Sequence, residues 1–147
     1  MKKLNITLVA LLSLASVSAQ ANVANAEKLV SIYSAVAKHD NPDYAGPTAA
    51  EGKFFFNRKI KLGNGKEMAC ASCHTANPAD EGKHAITGKA IRPLSPVVNA
   101  KRFEDFDKVQ EKFTQHCKDI IGSDCTAAEK ANYITYLLTE KTPTAKK

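Results

Sequence analysis

Methionine is almost missing from this 147-residue chain: beyond the initiator there is only Met68. Any role that needs a thioether therefore falls to that one position. Long apolar runs are missing too. The one sustained stretch, Leu4 to Val17, is interrupted by Ser and Thr and is shorter than the ~20 residues a spanning helix needs, which argues against a membrane anchor. No run of Lys and Arg is dense enough to mark a nucleic-acid surface, and no internal repeat is visible.

What the N-terminus has instead is a leader pattern. Met1-Lys2-Lys3 is a charged start, the apolar stretch follows, and Ala19-Gln20-Ala21 is a small-residue cleavage site. The expectation is a signal peptide over 1–21, cleaved after Ala21, with Ala24-Asn25-Ala26 as a second site that would cut after Ala26. The remainder, residues 22–147, has the size of one small domain. The leader takes two of the 21 basic residues and no acid, leaving 19 against 15 acids, a formal charge of +4. That modest balance suits an acidic protein partner, with most lysines on solvated faces.

Cys70-Ala71-Ser72-Cys73-His74 carries the chemistry. A bare C-x-x-C is shared by redox dithiols and zinc knuckles, but the adjoining histidine and the export signal narrow it to the attachment motif of a c-type haem. Two thiols on one turn each add to a haem vinyl group, and the imidazole lies under the iron. The prediction is one covalent haem c on Cys70 and Cys73, with His74 as proximal ligand. The other cysteines, Cys117 and Cys125, read as a disulfide in an oxidising compartment. A free buried pair and a four-cysteine zinc site are the alternatives, and zinc would leave His74 without a role.

Apolar residues at Leu29, Val30, Tyr33, Val36 and Ala37 step with a helical period, predicting an amphipathic helix from Ala26 to about Lys38, stopped by Asn41-Pro42. Thr48-Ala49-Ala50-Glu51 is a capping box that opens a second helix through Phe54, Phe55 and Phe56. Those aromatics suit a haem wall or ordinary core equally. Gly63-Asn64-Gly65, between Lys59–Leu62 and Lys66–Ala69, predicts a short β-hairpin leading to a short helix that carries the motif. Residues 75–100 hold Pro78, Gly82, Gly88, Pro93 and Pro96 and no helical period, an irregular loop. So long a loop needs a reason, and wrapping a haem edge, with the porphyrin as its core, supplies one. From Glu104 or Asp105, Phe106, Val109, Phe113, His116/Cys117 and Ile120 mark a long amphipathic helix ended by Gly122. A second capping box, Thr126 to Glu129, opens a last helix with Ala131, Ile134, Leu137 and Leu138 on one face, before a polar tail at Thr142-Pro143. The expected fold is mostly α, a small single domain of the class I cytochrome c type around one haem, with a short β-hairpin before the haem motif. Haem and disulfide add the stability that helix burial alone would leave marginal.

Many small c-type cytochromes place methionine opposite the histidine. Met68 is tethered two residues from Cys70, too close to reach the opposite face. His39, His84, His116, a lysine, an asparagine or an open position remain. His116 leads, because it falls in the apolar stripe and so points inward; the bland alternative is a core histidine bonded to backbone. His84 sits in the loop and is expected to be exposed, and His39 ends a helix where a cation suits the dipole. Arg92, Lys101 and Arg102 are candidate partners for the haem propionates, or solvent-facing.

The chain resembles the cytochrome c″ family, soluble monohaem cytochromes of methylotrophic bacteria related to the SHP-type oxygen-binding cytochromes. The likeness rests on Asn25 to Val30, Phe55 to Lys59, Cys70 to Thr75, Val98 to Phe103, His116-Cys117 to Asp124-Cys125, Glu129 to Asn132 and Tyr136 to Glu140. It covers essentially the whole mature chain. In that family the distal ligand is the histidine just before a disulfide cysteine, which the resemblance places at His116, with Cys117 bonded to Cys125. SHP-type relatives have asparagine there. The resemblance further implies that this histidine leaves the iron on reduction, with proton uptake.

The function expected is periplasmic electron transfer with redox partner proteins, through a bis-histidine ferric haem. The competing class is a binding module that takes O₂, NO or CO at the vacated ferrous site. A peroxidase ranks last, since no distal acid–base set beyond His116 can be named, so no enzyme is expected. A monomer is expected, with no nucleic-acid partner and no membrane insertion once the leader is removed.

Overall fold

A computed structural model describes residues 14–144. The expected leader lies mostly outside the described residues, and side chains are described from Asn22 on. Among the described residues, the helices are α1 Leu14–Asp40, α2 Ala49–Asn57, α3 Ala71–His74, α4 Phe106–Ile121 and α5 Ala127–Thr139. Two antiparallel pairs complete the fold: β1 Ile60–Lys61 with β2 Glu67–Met68, and β3 Gly82–Lys83 with β4 Ala90–Ile91. The mostly helical single domain and the hairpin ahead of the haem motif are as expected. No described helix is long and apolar enough to cross a membrane.

The caps explain the helix boundaries. Thr48 Oγ1 accepts from Glu51 N–H at 3.1 Å to start α2. Asp105 accepts from Lys108 N–H to start α4, and Gly122, at φ +84°, ends it in the left-handed conformation that costs an L side chain energy. Thr126 and Glu129 form a reciprocal capping box at α5. α1 begins well ahead of Ala26, because the Ala- and Ser-rich stretch from Leu14 contains no Gly or Pro to stop it.

α5 is the spine, packing against both α1 and α2. Leu29 of α1, Phe56 of α2, and Ile134, Tyr136 and Leu137 of α5 are buried together. Gly52 permits the closest approach: a Cβ there would sit 2.0 Å from the Asn132 carbonyl oxygen. Asn132 Oδ1 also accepts from Thr48 N–H at 2.8 Å. The two contacts fix the start of α2, and through the helix the positions of Phe55 and Arg58 toward its other end. At the other side, Asn22 and Asn25 of α1 donate to the carbonyls of Ala100 and Phe103, fixing the segment that bears Arg102.

The structure corrects the picture of 75–100 as a loop without its own core. Pro78, Leu94, Ser95 and Pro96 are buried, and Pro78 O accepts from Leu94 and Ser95 N–H at 2.8 and 3.0 Å. The segment is a compact knot that also contains the β3–β4 hairpin. Gly82 lets that hairpin lie on α3, since a Cβ there would be 2.3 Å from Cys73 O.

Gly52→Ala should therefore destabilise the protein by at least the roughly 1–3 kcal/mol typical of overpacking. Urea unfolding of the two proteins measures it, and equal midpoints would contradict the close approach.

Candidate functional site

One helical turn assembles the first wall. His74 N–H donates to Cys70 O at 3.1 Å, and Ala69 N–H donates to Ser72 Oγ at 2.9 Å. Residues three and four apart share a helix face, so Cys70, Cys73 and His74 all open on one cavity of about 360 Å³. That volume is in the ~300–1,000 Å³ range of cofactor sites. Thr75 then takes φ +61° and turns the chain away, its Oγ1 donating to Asn77 O at 2.8 Å.

The facing wall is α4. Val109, Phe113 and His116 line the same cavity. The stripe read from the sequence faces the cavity from Val109 on, while Phe106 is 42% exposed. His116 is exposed, at the rim of the cavity, and not buried in the stripe as its inward-pointing position in the sequence pattern predicts. Its ring centre lies 6.5 Å from that of His74, with the planes 32° apart. Metal–imidazole bonds of about 2 Å put two trans ring centres roughly 6 Å apart, so the spacing fits one iron between them. His39, 88% exposed beside Asp40, is away from the cavity. His84 borders it at the β3–β4 hairpin, with Nδ1 accepting from Ile86 and Thr87 N–H. Met68 borders it too, from β2.

Electrostatics favour neutral donors here. Burial, then the Arg102 cation and His116, push His74 down to about 4. Burial, Lys112 and Arg102 also lower His116, against Asp119. Both imidazoles thus keep a lone pair at neutral pH. Burial pushes the Cys70 thiol up to about 11, the reverse of the activated thiolate a redox dithiol needs. Cys117 and Cys125 are disulfide-bonded, with Cα atoms 5.6 Å apart. Their sulfurs are thus taken up, and among the described residues no cluster of three or more acidic, His or Cys side chains could hold a metal by itself.

The cavity also fits the rest of a haem. Phe55 and Tyr133 are flat walls meeting edge to face at 6.5 Å, and burial pushes the Tyr133 phenol up to about 12, so it stays neutral. Phe56 is core and Phe54 is 64% exposed, so the aromatic run divides its roles. Arg58 and Arg102 line the cavity, and each has a buried Nε with no partner. Arg58 Nη2 is already paired with Glu129 at 3.6 Å, so the buried Nε–H of each arginine is the donor left for a propionate oxygen. Of the three cations named from sequence, only Arg102 is placed here; Arg92 and Lys101 are exposed and off the cavity. Arg58 was missed. Its one signal was its place just past the Phe54–Phe56 run, and only the α2–α5 contact shows which way it faces.

The chain is similar to several known proteins. Residues 42–137 match the model of a domain of unknown function, DUF1924. Cytochrome c″ of Methylophilus methylotrophus is 59% identical over 129 residues, 88% of this chain and 90% of that protein. The crystal structure of its oxidised form superposes with a TM-score of 0.80 at 60% identity, over 83% of this chain and 99% of that one. A solution structure, at TM-score 0.78 and 59% identity over 84% and 99%, addresses the structural basis of haem-ligand detachment in that protein. The cytochrome c-type protein SHP of Cereibacter sphaeroides is 34% identical over 60% of this chain and 68% of its own.

Removing either arginine withdraws a positive charge beside the cofactor, which disfavours adding an electron. Arg58→Gln and Arg102→Gln should each lower the midpoint potential, read by spectroelectrochemical titration. Two unchanged potentials would end their assignment to the propionates.

Proposed function

The chain belongs to the cytochrome c″ family of monohaem c-type cytochromes, and from that premise we propose a periplasmic electron carrier whose distal ligand, His116, leaves the iron on reduction and takes up a proton. One covalently bound haem c is the family's cofactor, and it supplies the one-electron chemistry. Cys70 and Cys73 hold it, His74 ligates the iron from the proximal side, and Arg58 and Arg102 hold its propionates. The observation that carries this reading is the 6.5 Å between the His74 and His116 rings.

His116 is the side chain that moves. Ferric iron, with its greater positive charge, binds a second imidazole more strongly than ferrous iron does, so a strained distal ligand is released on reduction. The Cys117–Cys125 bond closes a nine-residue ring beside it. Chain entropy assigns such a ring roughly 2.5 kcal/mol of stabilisation against unfolding, and the ring ties down the turn of α4 from which His116 projects. Inside the cavity, burial, Lys112 and Arg102 hold the imidazole below its usual pKa. A released ring that moves fully into solvent regains a pKa of about 6.5, so proton uptake strengthens as the pH falls toward and below that value.

A second reading, reversible capture of O₂, NO or CO on the face His116 vacates, is favoured by the relative described as an oxygen-binding cytochrome c, matched at TM-score 0.66 and 30% identity over 76% of this chain and 94% of that one. Rapid reaction of the reduced protein with the gas would favour it over electron transfer. In both readings the protein acts as a carrier rather than an enzyme, with acidic redox proteins as the partner class in the first.

Export requires processing that spares the fold. Cleavage after Ala21 keeps Asn22, Asn25 and the buried Ala26, whereas a cut after Ala26 removes all three. N-terminal sequencing of exported protein should begin at Asn22; a start at Glu27 would contradict it.

The proton coupling is tested by the potential. It should fall as pH rises, because a proton accompanies the electron, with a slope approaching about 59 mV per unit. It should flatten above the pKa of the released imidazole. His116→Ala should give high-spin or water-ligated ferric haem and remove the slope. A His116→Ala protein with the wild-type spectrum and titration would refute the assignment.

A further inference from the structure

Lys130 is in an unfavourable place for a cation. Its side chain is 8% exposed, and it lies near the N-terminal end of α5, where the helix dipole opposes positive charge. Three groups compensate. Nζ is 3.4 Å from Asp124 Oδ1, 5.7 Å from the centre of the Tyr33 ring on α1, and 5.9 Å from that of Phe113 on α4. Both rings present their faces to the ammonium, an arrangement that stabilises a desolvated cation. Tyr33 is itself pinned to α4, its hydroxyl donating to Gln110 Oε1 at 2.6 Å. The Tyr33 and Phe113 rings meet edge to face at 5.9 Å.

Two of these partners lead directly to His116. Asp124 adjoins Cys125, whose sulfur is bonded to Cys117, the residue after His116. Phe113 precedes His116 by one turn and lines the same cavity. Lys130 thus grips the last turns of α4 twice, through the disulfide loop and through an aromatic face.

We propose that Lys130 is a positioning residue for the distal imidazole. It clamps Phe113 and the 122–125 loop to α1 and α5 in the arrangement where His116 faces His74, and so sets how readily His116 leaves the iron. The inference rests on His116 being the distal ligand. Without the clamp, the end of α4 relaxes and His116 is released in the ferric protein too, not only on reduction.

The test compares ferric holoprotein of wild type, Lys130→Met, Lys130→Arg and Asp124→Asn by EPR and absorption, with circular dichroism to confirm folding. Lys130→Met should show a high-spin ferric fraction that wild type lacks. Asp124→Asn should show a smaller one, and Lys130→Arg, which keeps the charge and stacks on aromatic faces, should restore the low-spin spectrum. A role in stability alone would lower the melting temperature and leave the spin state unchanged, so a folded, fully low-spin Lys130→Met protein overturns the clamp. If Lys130→Met yields no holoprotein, Asp124→Asn decides, because it keeps the ammonium and both rings; a fully low-spin spectrum there overturns the clamp equally. A wild type without low-spin ferric haem would overturn the ligand assignment and the clamp with it. A low-spin wild type matched by low-spin variants overturns the clamp alone.

Discussion

Two imidazoles held with their ring centres 6.5 Å apart across one cavity are the constraint on which the rest of the molecule depends. His74 is placed by the single helical turn that also carries Cys70 and Cys73. His116 has to be brought to it from 42 residues further along the chain, and several independent structures do this. The Pro78–Ser95 knot returns the chain after α3, the Asp105 cap and Gly122 set where α4 starts and stops, and Tyr33, Tyr133 and Phe113 fix how α4 lies on the body. A helix displaced by one residue would turn about 100° and carry His116 off the cavity.

The two imidazoles are held with different strengths. On the proximal side, the haem-bearing turn is short, the β3–β4 hairpin lies on it through Gly82, and Ala85 N–H donates to Cys73 Sγ at 3.3 Å. On the distal side, His116 sits at the open edge of the cavity, next to a disulfide loop whose tip, Gly122 to Asp124, is exposed. Rigid on one side and releasable on the other is the asymmetry a redox-linked ligand change needs, since a two-state element responds only if one state is close in energy to the other. Lys130 sits where those two halves meet.

How much of this was legible in the sequence follows from how local each signal is. The short helix of the C-x-x-C-H motif, the Asn-Gly hairpin, the extent of α4 and the α5 capping box are determined by residues within one or two turns and appear in the structure where expected, whereas the α4 stripe does so only from Val109 on, with Phe106 exposed. The elements that escaped notice depend on contacts between distant segments. Arg58 joins the cavity only because Gly52 lets α2 approach Asn132. The β3–β4 strands are too short to carry an alternating pattern, and the knot in 75–100 is built from carbonyls and prolines that have no periodicity. Arg92 and Arg102 look alike in sequence, and the tie of Asn25 to Phe103 O separates them. Burial of Lys130 becomes legible only with its partner Asp124, since lysine is almost never buried unless paired.

The central claim is that His116 binds the iron in one oxidation state and not the other. Absorption and EPR spectra of the same wild-type sample, first oxidised and then reduced near neutral pH, test it most directly. The account predicts low-spin, six-coordinate ferric haem with no methionine–iron band, and high-spin, five-coordinate ferrous haem. A reduced protein that stays low-spin and six-coordinate would leave a plain bis-histidine electron carrier and contradict the switch.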